Sequence, residues 1–101
     1  KESYLDEGKA LEHKENGNTL FQAGKWVDAI KEYTESIQRN PKDCKVYSNR
    51  AACYTKLMDW GNALNDVNTA IALDSKFVKA YIRKGKIETF LKQYHKARET
   101  Y

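Results

Sequence analysis

Proline occurs once in these 101 residues, cysteine and histidine twice each, and no apolar run is long; each scarcity closes off a class of protein. Cys44 and Cys53 are too few for a disulfide-stapled secreted scaffold. Nine residues apart in one predicted helix, they project from different levels and cannot bond to each other without unwinding it. Reduced thiols are expected, with a cytosolic or nuclear location, and the assignment is cytoplasmic. His13 and His95 have no metal-ligand spacing to the cysteines, and Cys53 in a helix interior reads as packing, not as a nucleophile. Gly17, Gly24, Gly61 and Gly85 are too scattered to build a phosphate-cradling loop. No catalytic pair stands out, so the chain reads as a non-enzyme with no cofactor and no metal. Apolar pieces such as Ala70 to Leu73 fall far short of a membrane span, and no stretch reads as a signal-peptide hydrophobic block.

What is present suits a folded, mostly helical, soluble protein: 41% hydrophobic and 32% charged residues, a balance that argues against disorder. A net charge of +4 with a pI near 9.0 favours an acidic partner without naming one, and nucleic acid stands on the same footing as peptide at this level. The size leaves room for one small domain or about three supersecondary units in a row.

The organising feature is a period of 34 residues. Gly17, Ala51 and Gly85 form one series, Trp26, Trp60 and Tyr94 a second, Ala29, Ala63 and Ala97 a third, and Tyr33, Val67 and Tyr101 a fourth. Small residues and aromatics returning in register signal a helical repeat array. The stretch from Lys45 to Leu57, KVYSNRAACYTKL, is the copy with a neighbour on each side.

Local signals divide each copy into two helices. After a polar lead-in, Lys1 to Lys9, that extends towards the first helix, helical segments are expected over Ala10 to Ala23, broken by Gly24 and Lys25, and over Trp26 to Arg39, stopped by Asn40 and Pro41. Asp43 is placed to cap a third helix running to about Leu57, Asp59 a fourth from Trp60 to Leu73, and Asp74 or Ser75 a fifth from Lys76 to about Leu91, with a sixth beginning near Tyr94. Short loops make successive helices antiparallel, and stacked pairs give a right-handed solenoid whose concave face is lined by the first helix of each pair. The small-residue series is expected to permit close approach within each pair. Trp26, Trp60 and Tyr94 are expected to wedge between pairs, and Tyr47 and Tyr81 to pack.

These spacings and residue types resemble the tetratricopeptide repeat over 10–43, 44–77 and a truncated third copy, 78–101, making one all-α domain after the lead-in 1–9. Ser75 departs from the pattern where copy one has Pro41. Glu88 stands where Leu20 and Tyr54 stand earlier, a change expected to weaken the third pair. The chain ends within a helical pattern, so it reads as an excerpt from a longer multi-repeat protein, and separately it is expected to be monomeric.

Chemistry concentrates on the first helices. Lys14 and Asn18 are four residues apart, as are Lys79 and Arg83, and positions i and i+4 share a helix face. Arg83 transposes directly onto Asn49, which lies one register step from the place of Lys14. All five are expected to point into one groove: three cations and two amides, with no carboxylate of the chain matched to them. A peptide ending in Asp offers two carboxylates a few ångströms apart, which such a fork can hold together, while the amides orient its main chain.

The set Lys14, Asn18, Asn49, Lys79 and Arg83, in KENGN, YSNRAACY and KAYIRK, is similar to the two-carboxylate clamp of tetratricopeptide domains that bind the acidic C-termini of cytosolic heat-shock chaperones. Through NPKDCKVYSNRAACYTKL and FVKAYIRK the likeness extends to the organising co-chaperone family that bridges the 70-kDa and 90-kDa heat-shock chaperones, in particular the second of its two central repeat modules. The resemblance implies a ligand ending in Glu-Glu-Val-Asp. Around the clamp, Phe21, Ala52 and Ile82 are expected to form a pocket for the ligand's Val or upstream apolar residues, with Lys56 meeting an upstream Glu. Phe21 is equally readable as buried between helices. Two other functions compete: nucleic-acid binding through the basic surface, with steep salt dependence, and a scaffold using the convex face, which would tolerate all five substitutions.

Overall fold

The computed structural model describes residues 4–100, with the side chains of 4–96. Among the described residues all regular structure is helical: α1 (Glu7–Gln22), α2 (Trp26–Arg39), α3 (Cys44–Lys56), α4 (Trp60–Leu73) and α5 (Val78–Thr100). Connections of three or four residues turn the chain back on itself, so α1 packs on α2 and α3 on α4, with α2 against α3 and α4 against α5 joining the pairs. The result is an all-α solenoid, 51 Å in its longest dimension.

Helix boundaries follow from caps. Asp6 starts α1 by accepting from the Lys9 amide at 3.0 Å, three residues ahead of the expected start at Ala10, so part of the lead-in is helix. Asp43 accepts from the Lys45 amide at 3.0 Å and Asp59 from the Asn62 amide, as the sequence predicts. Ahead of α5 it is Asp74, not Ser75, that accepts from an amide, that of Lys76. Each pair turns through one left-handed residue: Gly24 (φ 77°) between α1 and α2, and Met58 (φ 60°) between α3 and α4. Glycine takes that conformation freely, whereas Met58 carries a steric cost of about 1 kcal/mol.

Two cores fill the array. Ala29, Tyr33, Val46 and Cys53 form one with Leu20, Phe21, Ile30 and Ile37 around them. Ala51, Ala63, Val67, Ala70, Ala80 and Ile87 form the other, flanked by Tyr47, Tyr54, Trp60 and Leu91 among others. Burying a Val or Ile side chain fully contributes about 1.5–3 kcal/mol, so the large members carry most of the stabilisation and the alanines set the spacing. Within the second pair, Arg50 donates from Nε and Nη2 to both oxygens of the buried Asp66, at 2.7 and 2.8 Å, and it reaches the first pair from Nη1 to Thr34 at 3.0 Å. One guanidinium thereby joins α3 to α4 and to α2. Trp60 stacks on Phe90 of α5, and Trp26 meets Phe21 edge-on while the Lys56 ammonium sits 5.6 Å from its ring, so both tryptophans span between pairs as expected. Tyr47 donates to the Pro41 carbonyl and Tyr81 to the Ser75 carbonyl, one repeat apart: Ser in place of Pro keeps the acceptor.

The third copy departs from expectation. No break occurs near Tyr94, and α5 runs unbroken to Thr100. Lys92 falls where Gly24 and Met58 turn the chain, and Gln93 falls where Asp59 caps α4. A turn there would sacrifice intrahelical hydrogen bonds and require a positive φ without a glycine or a cap. Among the described residues there is no sixth helix; Tyr94 lies within α5 and is 49% exposed, and Gly85 is exposed with nothing within 4 Å of where a Cβ would be. Glu88 is likewise exposed. The side chains of Ala97 and Tyr101 lie outside the described residues. No helix among the described residues is long and apolar enough to cross a membrane.

Candidate functional site: a polar groove on the first helices

Four of the five residues expected in the groove meet in one open cavity of about 280 Å³: Asn18 from α1, Asn49 from α3, and Lys79 and Arg83 from α5, together with Phe21, Gln22 and Tyr33. Among the described residues no carboxylate lines it.

The amides are set by their neighbours. Asn18 Oδ1 accepts from the Tyr33 hydroxyl and from Asn49 Nδ2, the latter at 3.2 Å, so the Asn18 NH₂ is left to donate elsewhere and Asn49 keeps its carbonyl and one N–H for a ligand. Tyr33 belongs to the core series, and its role as a cavity wall went unread because its period explains it as packing. Burial pushes its phenol up to about 12, so it remains a hydrogen-bond donor at any physiological pH.

Arg83 is half-buried, its Nε donating to Ser48 Oγ at 2.9 Å. Neither Arg83 nor Lys79 is in an ion pair among the described residues. Burial without a carboxylate lowers the Arg83 pKa from its ordinary value, the sign of a cation short of compensation, yet a guanidinium stays charged throughout the usual range. A half-buried cation, an exposed one and two oriented amides on three helices make an anion site open on one side.

Lys14 is the exception. Its Nζ lies 3.0 Å from Asp43 Oδ2, so the expectation that no carboxylate of the chain is matched to the five is corrected. Asp43 uses one oxygen to cap α3 and the other to hold Lys14, a contact across 29 residues that local capping signals cannot reveal.

Next to the polar cavity, and sharing Phe21 and Arg83 with it, lies an apolar one of about 540 Å³. Of the residues expected around the ligand, Phe21, Ala52 and Lys56 line this cavity, with Thr55, Met58, Trp60, Lys86, Ile87 and Phe90. Ile82 does not: it is 55% exposed and lies instead beside Gly85, Lys86, Thr89 and Phe90 in a shallow depression on α5. Three or four residues along an α-helix preserve a face, so the same face of α5 continues from Arg83 through Lys86 to Ile87 and Phe90, and Ile82 projects to one side of it. Lys86 was findable, since it lies one period beyond Ala52 and two beyond Asn18. Phe90 follows from its stacking on Trp60 and had no such signal.

No family model matches the chain. The TPR2B domain of yeast Sti1, solved as a "TPR2B-domain:pHsp70-complex", is 46% identical and superposes with a TM-score of 0.82 over 91% of this chain and 74% of that one. The chain belongs to the tetratricopeptide-repeat family. Another solved tetratricopeptide domain, the first of Spaghetti (RPAP3) bound to the HSP90 peptide SRMEEVD, is 35% identical with a TM-score of 0.86, covering 95% of this chain and 76% of that one. The Hsp70-Hsp90 organizing protein of Triticum aestivum is 51% identical over 100 residues, which are 99% of this chain but 17% of that protein. This tetratricopeptide domain thus spans about a sixth of the length of that relative.

Proposed function

We propose that this tetratricopeptide domain is a co-chaperone adaptor module, binding and not catalysing, that clamps the acidic C-terminal tail of 70-kDa or 90-kDa heat-shock chaperones, of the Glu-Glu-Val-Asp type. The reading is carried by the carboxylate-free cavity where Asn18, Asn49, Lys79 and Arg83 converge, and it is supported by the chaperone peptides held by related domains. Lys79 and Arg83 take the two carboxylates of the terminal Asp, the amides of Asn18 and Asn49 fix its main chain, and Lys14 flanks them from α1. Phe21 and Ala52 offer upstream apolar residues a wall, and Lys56 and Lys86 offer acidic ones a cation. The repeats are assigned to 10–43, 44–77 and 78–101 after the lead-in 1–9, as a monomeric, cytoplasmic module of a longer protein.

Charge-assisted hydrogen bonds net about 1.5–3 kcal/mol each, and about four of them give a gross gain near 8 kcal/mol before the cost of ordering a loose tail. With modest apolar burial the expected dissociation constant is micromolar, about −7 to −8 kcal/mol. Calorimetry with a short peptide ending in Glu-Glu-Val-Asp, then with the same peptide amidated at its C-terminus, tests the clamp. Amidation should abolish binding and Arg83→Ala should weaken it at least about tenfold, because each removes a charge-assisted pair. Equal affinity for both peptides would sink the proposal.

A further inference from the structure

Asp43 divides its two oxygens between a helix cap and an ion pair. Oδ1 accepts from the Lys45 amide at the start of α3 and Oδ2 takes the Lys14 ammonium at 3.0 Å, so the carboxylate is held at the positive end of a helix and cannot follow its partner. The pair is partly sheltered, with 19% of the Lys14 side chain and 28% of the Asp43 side chain exposed. The two other cations expected to grip the ligand show the opposite condition: among the described residues Lys79 and Arg83 have no carboxylate partner, and their cavity is open.

We infer that Asp43 is a built-in competitor for Lys14, an internal carboxylate that occupies the lysine in the empty groove and lowers affinity for an acidic tail. The inference rests on the clamp reading above. An ammonium has three N–H donors, so a ligand carboxylate can share Lys14 with Asp43, but sharing sets two like charges on one cation, while exclusive capture breaks the existing pair. Either way Lys14 contributes less than Lys79, which has no such partner among the described residues. Asp43 therefore acts through Lys14 and touches no ligand atom itself.

Asp43→Asn removes the charge and keeps an N-cap of equal quality, so α3 is preserved. In the full chain, a peptide ending in Glu-Glu-Val-Asp should bind about fivefold tighter to Asp43→Asn than to the parent, the upper range for a partly exposed ion pair. The gain should vanish in the Lys14→Ala background. Without peptide, an amine-reactive ester followed by mass mapping should label Lys14 faster in Asp43→Asn, a readout that a purely structural cap would leave unchanged. Unaltered labelling overturns the inference by itself. So does unimproved peptide binding by Asp43→Asn, or the same gain without Lys14, in a parent that still rejects the amidated peptide. A parent that binds free and amidated peptides alike overturns the clamp, and the competitor with it.

Discussion

Gly17 and Gly85 occupy the same place in the repeat and meet opposite surroundings. A Cβ on Gly17 would lie 2.6 Å from Tyr33 Cε1, inside the ring's own van der Waals envelope, whereas a Cβ on Gly85 would meet nothing within 4 Å. The difference is the second helix. α1 has α2 against it and α3 has α4, while among the described residues α5 continues where its companion would begin. Repeat position states what a residue is suited to do, and the presence of a packed partner decides whether it does it. Trp60 and Tyr94 also share a repeat position and differ in burial, the one half-buried against the core and the other 49% exposed.

The strongest way to sharpen this comparison is to cut a contact that exists only because helices press from several sides. Asp66 has 2% of its side chain exposed and neutralises Arg50, while Glu32, its counterpart in the first repeat, is 31% exposed and meets His13 and Asn16 at the surface. Asp66→Ala strands a half-buried guanidinium and should cost about 3 kcal/mol. Glu32→Ala should cost less than about 1 kcal/mol. Urea denaturation of both variants checks the contrast, and equal losses would mean that Arg50 is not held by packing on both sides.

A second cut is steric. Gly17→Ala drives a methyl group into Tyr33, whose ring is walled in by its core and whose hydroxyl is tied to Asn18. Overpacking of this kind should cost about 2 kcal/mol, outweighing the better helix propensity of alanine. Because the displaced ring orients Asn18, the variant should also bind an acidic tail more weakly than its residual stability implies. A thermal midpoint equal to the parent's would show that α1 and α2 can part without penalty.

A pH ramp reads the filled interior without any substitution. Burial raises the Tyr33 phenol from 10.0 to about 12 and the Cys53 thiol from 9.0 to about 11. Both groups are neutral when protonated, so the folded state retains protons that the unfolded chain has released. The stability involved is complete below pH 9.0 and is lost as pH climbs through 11 and 12. The thermal midpoint followed by circular dichroism should fall across that window, and a flat profile from pH 8 to about 11 would contradict the burial of both groups.

Much of this was legible in the residues themselves. A 34-residue period, Pro41, Gly24 and the capping aspartates Asp43 and Asp59 are local or periodic signals, and they placed α2 and α4 to the residue and brought Asn18, Asn49, Lys79 and Arg83 together. What escaped depends on contacts between distant segments. Asp43 looked like a cap and nothing more, since its second oxygen reaches Lys14 across 29 residues. Arg50 and Asp66 carried no pattern that separates a buried pair from two surface charges. The sixth helix was expected from Tyr94 by register alone, yet register supplies no energy, and Lys92 with Gln93 offers neither the left-handed glycine that follows α1 nor the aspartate that caps the start of α4. Ile82 misled because consecutive residues of an α-helix point about 100° apart, so the face that turns Arg83 into the cavity turns Ile82 aside.

The smallest expected effect is also the one most sensitive to what covers α5. Gly85→Ala places a methyl group in open space on an exposed helix interior, where alanine is favoured over glycine by about 0.5–1 kcal/mol because the unfolded chain loses less backbone freedom on folding. The variant should therefore raise stability by about that amount, opposite in sign to Gly17→Ala at the same repeat position. Side by side in one denaturation series, the two alanines weigh a packed partner helix against its absence with the added group held constant. Should Gly85→Ala prove destabilising by about 1 kcal/mol or more, some segment must be pressed against α5 in solution as closely as Tyr33 is pressed against α1, and the open face of that helix would be filled after all.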